Sequence, residues 1–407
     1  MLAGSVRMLL SWSEQGTAPR VHSIHHRGPD MNRSLLVLAT ASAMLAGGAQ
    51  AQNTIRIGFS SAFTGPAALA SQWEKWGVDL AVEEINAAGG LLGRKVEIVA
   101  VDNRCNPTEG ANSARKLVQE KVAAIVGAHC SSATLAMMPI IQEAKIPMVT
   151  GVSSSPIIKD RSGAGGNTYM FRINPDDLMM AQALTEYLGQ KKTYKTVSII
   201  GEDSDFGRGG GGAFAPLAQK AGIQVLSTDY TPQMIPDFTP VLTRVAQRKP
   251  DAIALFMLGA DQMNLIRTAM QMGIKIPYTG RAELGGKIIE LVEAGGMDGT
   301  VTAWTYSPDI DNPVNKKFAT TIVLRHKTIA TLQSWAGYDS TRALAAAIRL
   351  AKSAEPEKIR DALTKVKVTM LHGKTVGFDN YNQAGKVVVI QTAKNKRVEI
   401  LDLFELK

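Results

Sequence analysis

Two patterns of apolar spacing take turns along this chain. From Thr54 onward, short apolar runs of strand length alternate with stretches whose apolar residues recur three and four positions apart, and the pair repeats about every 25 residues. "TIRIGFSSAF" reads as a strand entering a loop at Thr64-Gly65-Pro66, and a helix follows through "WGVDLAVEEINAA" to Gly89-Gly90. "KVEIVAVDN" is the next strand. Its helix opens with Asn106 as cap, Pro107 in the first turn and Glu109 placed to reach back. "VAAIVGAH", a helix from Ser131, and the strands "IPMVTGVS" and "TYMFRIN" complete a first set.

A second set starts at Pro175-Asp176-Asp177. The helix "LMMAQALTEYLGQ", the strand "TVSIIGED", a helix after a run of glycines, and "IQVLSTDY" are followed by "DAIALFML", "QMNLIRTAMQMG" and "IPYTGRAE". Beyond "VTAWTYSPD" two helical stretches, 315–330 and 335–353, precede alternating segments that read as strands and hairpins. Strand and helix in alternation predict α/β units on parallel sheets. The length exceeds what one core holds, and no Pro/Ser-rich linker intervenes, so two doubly wound domains joined by short crossings are expected.

The segment ahead of Thr54 has a different pattern. Met31-Asn32-Arg33, the apolar run 34–46 and the exit Ala49-Gln50-Ala51 have the layout of a secretory signal peptide, with cleavage expected after Ala51. The run is too short to span a bilayer, which takes about 20 residues. Residues 1–30 carry no periodic pattern and precede a natural start at Met31, so they read as a mis-called extension.

The formal net charge is +9, and removing residues 1–51 takes away four arginines and two acids, leaving +7. No Lys/Arg block is interleaved with aromatics, so nucleic acid is not a partner. Export bears on the only two cysteines. Cys105 and Cys130 each follow a strand, and two such strands lying side by side bring them within bridging distance, so a disulfide is expected. The rival roles for Cys130 and Ser131, nucleophiles in a secreted enzyme, lack a legible partner: His129, His326 and His372 are isolated and no metal cluster is spelled out. "GRGGGG" at 207–212 lacks the Lys-Ser/Thr ending of a phosphate loop and reads as a flexible entry to its helix.

In their order, "IRIGFSSAFTGP", "AVEEINAAGGLLGRKVEIVAVDNRCNPTEGANSARKLV", "GAHCSSAT", "IPMVTGVSSSP", "FRINPDD" and "GEDSDFGRG" resemble the leucine/isoleucine/valine-binding protein family, the type I periplasmic solute-binding proteins of ABC importers. The resemblance implies two Rossmann-like lobes crossed three times by the chain, near 173–176, 300–303 and 379–386. Lobe I is then 52–173 plus 303–381, and lobe II 176–300 plus 384–407. It implies a periplasmic, monomeric, non-enzymatic protein without cofactor, which captures a branched-chain amino acid or similar small carboxylate between the lobes and delivers it to an inner-membrane permease. A ligand-sensing module of the same fold is the alternative use.

Carried onto this sequence, the resemblance assigns the ligand carboxylate to Ser131 and Ser154, with Ser153 beside them. It assigns the ligand ammonium to the Val152 carbonyl and Glu283, and a place on the cleft wall to Asp177. Strand ends running into helix starts suit an anion on physical grounds as well, through unpaired amides. Two departures make the pocket more apolar: Phe206 stands where relatives carry tyrosine, and Leu258-Gly259 offers none. Trp73 and Trp76, at helical spacing, read as core or surface packing residues, with a stacking wall of the cleft as the alternative for one of them.

Overall fold

The computed structural model describes residues 54–406. The extension at 1–30 and the signal segment at 31–51 lie outside the described residues.

Strand β1 (Thr54–Ser61) leads through α1 (Ala68–Ala87), β2 (Lys95–Asp102), α2 (Pro107–Gln119), β3 (Ala124–Gly127), α3 (Ser131–Ala144), β4 (Met148–Thr150) and the short α4 (Pro156–Asp160) to β5 (Met170–Arg172). These strands form a parallel sheet in the order β2-β1-β3-β4-β5. The chain continues through α5 (Asp177–Lys191), β6 (Thr196–Glu202), α6 (Asp205–Lys220), β7 (Gln224–Thr231), α7 (Thr239–Arg248), β8 (Ala252–Phe256), α8 (Gly259–Gln271) and β9 (Tyr278–Gly280). Here the order is β7-β6-β8-β9, again parallel throughout.

The last third holds α9 (Ile289–Glu293), β10 (Val301–Trp304), α10 (Pro313–His326), α11 (Leu332–Ala351), α12 (Pro356–Leu363), a hairpin of β11 (Lys367–Thr369) and β12 (Thr375–Gly377), β13 (Val387–Lys394) and β14 (Arg397–Glu405). Strands β10, β13 and β14 make a small antiparallel sheet. The α/β class and two parallel sheets expected from the alternation are therefore present.

Each parallel sheet carries its own apolar core. Ile57, Phe59 and Phe171 of the first sheet pack with Trp335, Leu344 and Ile359 from the late helices. Ile199, Ala254 and Phe256 of the second pack with Phe214 and with Ala303, Val388 and Ile390 of the small sheet. Helices α1 and α11 touch backbone to backbone: a Cβ on Gly77 would fall 1.9 Å from the Ser334 carbonyl oxygen, and one on Gly337 2.1 Å from that of Glu74.

Three local readings need correction. Helix α1 begins at Ala68 instead of near Trp76, so Trp73 lies within it; the mostly small residues 67–71 hid its first turn. Glycines 209–212 are inside α6, not at a flexible entry. Close approach is the reason, since a Cβ on Gly210 would lie 2.4 Å from the Phe256 ring and one on Gly211 2.8 Å from the Tyr230 hydroxyl. Asn106 caps α2 as expected, accepting from Thr108 and Glu109 amides, but Glu109 makes no return bond among the described residues.

The Cys105–Cys130 disulfide is formed, with Cα atoms 5.3 Å apart. The strands that precede it are not neighbours, however, because β1 lies between β2 and β3. The loop after β2 instead folds across the end of β1. Arg104 and Cys105 both take positive φ to make the turn, and Asn103 anchors it by donating to Ser60 Oγ (3.0 Å) and accepting from the Cys105 amide (3.0 Å).

Candidate functional site

The C-terminal ends of both parallel sheets face one cleft of about 840 Å³. That is within the roughly 300–1,000 Å³ typical of small-molecule sites, and the ends of parallel strands are where such folds bind ligands. Segments after β3 and β4 supply one side, and segments after β6, β8 and β9 the other. Ser131, Val152, Ser153, Ser154, Phe206 and Glu283 all line it.

Ser131 opens α3, whose cap residue, Cys130, makes no side-chain bond to the first amides. The Ser131 hydroxyl oxygen accepts from the Ser155 amide (3.2 Å), which leaves its proton to donate. Ser153 turns inward: its hydroxyl lies 2.8 Å from the Ala128 carbonyl and 2.7 Å from Thr134 Oγ1, and its amide donates to Thr150 Oγ1. The Val152 carbonyl accepts from Asn174 Nδ2 at 3.3 Å and keeps a second lone pair.

Ser154 donates to Asp177 Oδ2 at 3.0 Å. Asp177 is buried behind the cleft wall, not on it, and forms an ion pair with Arg281 at 2.5 Å. Burial pushes the Asp177 carboxyl up to about 6, against the opposing pull of Arg281 and Ser154. Arg281 does line the cleft. Its guanidinium lies 4.4 Å from the Trp304 ring and 5.8 Å from Phe206, and its Nε has no partner among the described residues.

Glu283 sits two residues on in the same loop. Its amide donates to Gln262 Oε1, and burial pushes its carboxyl up to about 7 although Gln333 and Arg281 pull it down. The absent side chain at Gly259 makes room for it: a Cβ there would lie 2.5 Å from Glu283 Oε2. Glu202 is also raised by burial and accepts from the Leu258 amide and the Ser204 hydroxyl. The two sides already touch where the Asp205 amide donates to Ser132 Oγ at 3.4 Å.

Reading the sequence missed Arg281, His129, Trp304 and Gln333, all of which line the cleft, as does Trp73. The sequence did hold one signal, in that Arg281 and Glu283 share the loop after a strand end. Trp73 packs over Gly286 from the facing loop, whereas Trp76 stacks on His326 at 3.9 Å. Among the described residues no group of three or more His, Cys, Asp or Glu is arranged to hold a metal ion, and no helix is long and apolar enough to cross a membrane.

Residues 54–397 match the family described as periplasmic binding protein. The chain belongs to this family. One relative of this periplasmic binding protein is the leucine-, isoleucine-, valine-, threonine- and alanine-binding protein of Pseudomonas aeruginosa, 25% identical over 330 residues that cover 81% of this chain and 87% of that protein. Among solved structures, a leucine-binding protein of Thermotoga maritima superposes with a TM-score of 0.77 at 27% identity, covering 86% of this chain and 99% of the other. A solute-binding protein of an ABC transporter from Rhodopseudomonas palustris, in complex with 3,4-dihydroxybenzoic acid, shares the fold with a TM-score of 0.79 at 20% identity, covering 88% and 99%. The expected two-lobed architecture of a type I periplasmic binding protein is thus present, and the family's members are solute-binding proteins that work with ABC permeases.

Proposed function

We propose that this periplasmic binding protein is exported through a signal peptide ending at Ala51, and that as a monomer it captures an amino acid or similar small carboxylate in the 840 Å³ cleft for an inner-membrane ABC permease. The lobes we assign are 52–173 plus 303–381 and 176–300 plus 384–407; a separate core on each sheet supports the division, while the packing of Ala303 on the second sheet and the pairing of β10 with β13 favour a second crossing after β10. One observation carries the ligand class. The uncapped start of α3, with the Ser131 hydroxyl beside it, faces across the cleft to a buried carboxyl at Glu283. Amides and a hydroxyl at a helix start hold a carboxylate, and a desolvated acid opposite holds an ammonium.

Ser154 bonds Asp177 from one lobe while Asp177 pairs with Arg281 in the other, so closure aligns the ligand contacts by hinge motion. Turnover is not part of this reading. The Cys130 thiol is consumed by the disulfide, and the His129 imidazole is tied to Glu74 instead of to Ser131.

Calorimetric titration with amino acids and small carboxylates tests the proposal. One-to-one saturation is expected; Ser131→Ala should weaken binding about 10-fold, the worth of a lost hydrogen bond to a charged group, and Ser154→Ala should weaken it indirectly, by releasing the Asp177 carboxyl that its hydroxyl holds. Steady consumption of ligand, or affinities untouched by both substitutions, would overturn it.

A further inference from the structure

Among the cleft side chains that the proposed carboxylate and ammonium contacts leave unused is an imidazole. His129 lines the wall two residues before Ser131 and is only 3% exposed. Its Nδ1 lies 3.0 Å from Glu74 Oε2, and the same oxygen accepts from the Ser61 hydroxyl at 2.7 Å. Glu74 comes from α1, Ser61 from the end of β1 and His129 from the end of β3, so three elements converge to hold one imidazole. Because the carboxylate oxygen accepts, the ring proton is fixed on Nδ1. Nε2 has no partner among the described residues and is not sealed from solvent, so it faces the cleft.

Burying a carboxyl and an imidazole together costs desolvation that their mutual hydrogen bond offsets only in part. A purely architectural tie between α1 and β3 would be served as well by an apolar contact. What the triad provides beyond a tie is an imidazole of fixed tautomer and orientation at the edge of the ligand site.

We infer that His129 is a ligand-binding residue, and that the captured carboxylate carries a hydroxyl group on its body which Nε2 reads. This rests on the carboxylate-binding reading above. With its proton on Nδ1, Nε2 accepts a hydrogen bond when the ring is neutral and donates one when it is charged. A hydroxyl complements either state, and a methyl complements neither. Trp73, Phe206 and Trp304 supply apolar walls, and the cleft volume takes a ring as readily as an aliphatic chain, so the hydroxyl is phenolic or aliphatic. A site built around a hydrogen bond discriminates steeply against the analogue that lacks it.

The test uses the purified protein and pairs of acids differing by one hydroxyl: benzoate with 3- and 4-hydroxybenzoate, phenylalanine with tyrosine, valine with threonine. Calorimetry should find one hydroxylated member bound about 10-fold or more tighter than its plain partner. The aromatic and aliphatic arms tell which kind of hydroxyl is read. His129→Leu should bring the preferred member down to the level of the plain one, whereas Ser131→Ala weakens both alike. Glu74→Gln, which loosens the imidazole, should shrink the preference without abolishing it.

Because His129 is part of a buried network, nitrogen NMR of its ring in the unaltered protein gives a second readout. Nε2 should shift with the hydroxylated member and not with the plain one. Plain members that bind with no hydroxyl preference, a preference that survives His129→Leu, or an Nε2 signal blind to the hydroxyl would each overturn the inference while leaving the carboxylate site standing. If no member of any pair binds, the carboxylate reading fails and this inference falls with it.

Discussion

The raised carboxyl of Glu283 makes a test in which sign and size both matter. Its pKa moves from 4.5 to about 7 because burial disfavours the charged form. Since the folded value lies above the unfolded one, the group favours folding fully below pH 4.5, and that contribution is lost as pH rises through 7. The loss is about 3 kcal/mol once the carboxyl is ionised. Glu283→Gln keeps the shape and removes the titration. Without ligand, the variant should match the parent near pH 4 and gain on it steadily to pH 8. With a melting entropy of about 2.1 cal/mol/K per residue, the final gap is about 4 °C in a chain of this length. Melting curves of both proteins from pH 4 to 8.5 measure it. A gap that stays flat, or that opens in the parent's favour, refutes the argument that Glu283 is held unpaired and dry.

A ligand ammonium reverses this cost. At pH 6 a group of pKa 7 is about nine-tenths protonated, so an amino acid that binds the ionised form must expel about 0.9 proton. Its affinity should then rise about 10-fold between pH 6 and pH 8. Calorimetry in two buffers of different ionisation heat counts the protons. An acid without an ammonium should release none, so the same assay sorts ligand classes. Amino-acid binding that is flat with pH and releases no proton would remove Glu283 from the ammonium site.

Arg281→Met should cost about 3–5 kcal/mol in denaturant unfolding by stranding Asp177, and adding Asp177→Asn should recover most of it. Replacing both cysteines by serine opens a bridge with a sequence separation of 25 and should lower stability by about 3 kcal/mol, while thiol reagents should leave the unreduced parent unlabelled. Gly77→Ala sets a Cβ 1.9 Å from the Ser334 carbonyl and should destabilise by about 2 kcal/mol or more, seen as a lower melting temperature.

The sheets were legible because parallel strands, covered on both faces, read as apolar runs of strand length, and helix periodicity fills the intervals. "AIVG" and "AIALF" became β3 and β8 on that basis. Residues that touch the cleft through their own strand end were legible too, since Ser131, Ser154 and Glu283 each follow a strand. What was hidden depends on pairings that no local pattern encodes. Gly210 lies against Phe256, so a helix glycine that permits contact looked like a flexible entry, and nothing in the sequence showed that Gly77, inside its expected helix, meets α11. Arg281 and Asp177 are separated by 104 residues, and their contact is set only when α5 and the loop after β9 meet. His129 looked isolated because its partners, Glu74 and Ser61, arrive from α1 and β1.

Those hidden pairings decide how much charge the cleft has left for a ligand. Asp177 and Arg281 neutralise one another at 2.5 Å, so neither is a full unit charge to an incoming molecule. Glu283, like Glu202, is then a buried carboxyl without a dedicated cation, and burial raises it to about 7. On the opposite wall Glu74 is committed to His129 and Ser61, which leaves the start of α3 free of a competing anion. The cleft therefore presents a donor-rich end at Ser131 and an acceptor end at Glu283, with aromatic walls between. Had Arg281 been unpaired, it would have quenched Glu283 and favoured a second anionic group on the ligand. With Asp177 in place, the guanidinium serves as a flat surface between Trp304 and Phe206, and the choice of ligand passes to Glu283 and the wall that faces it.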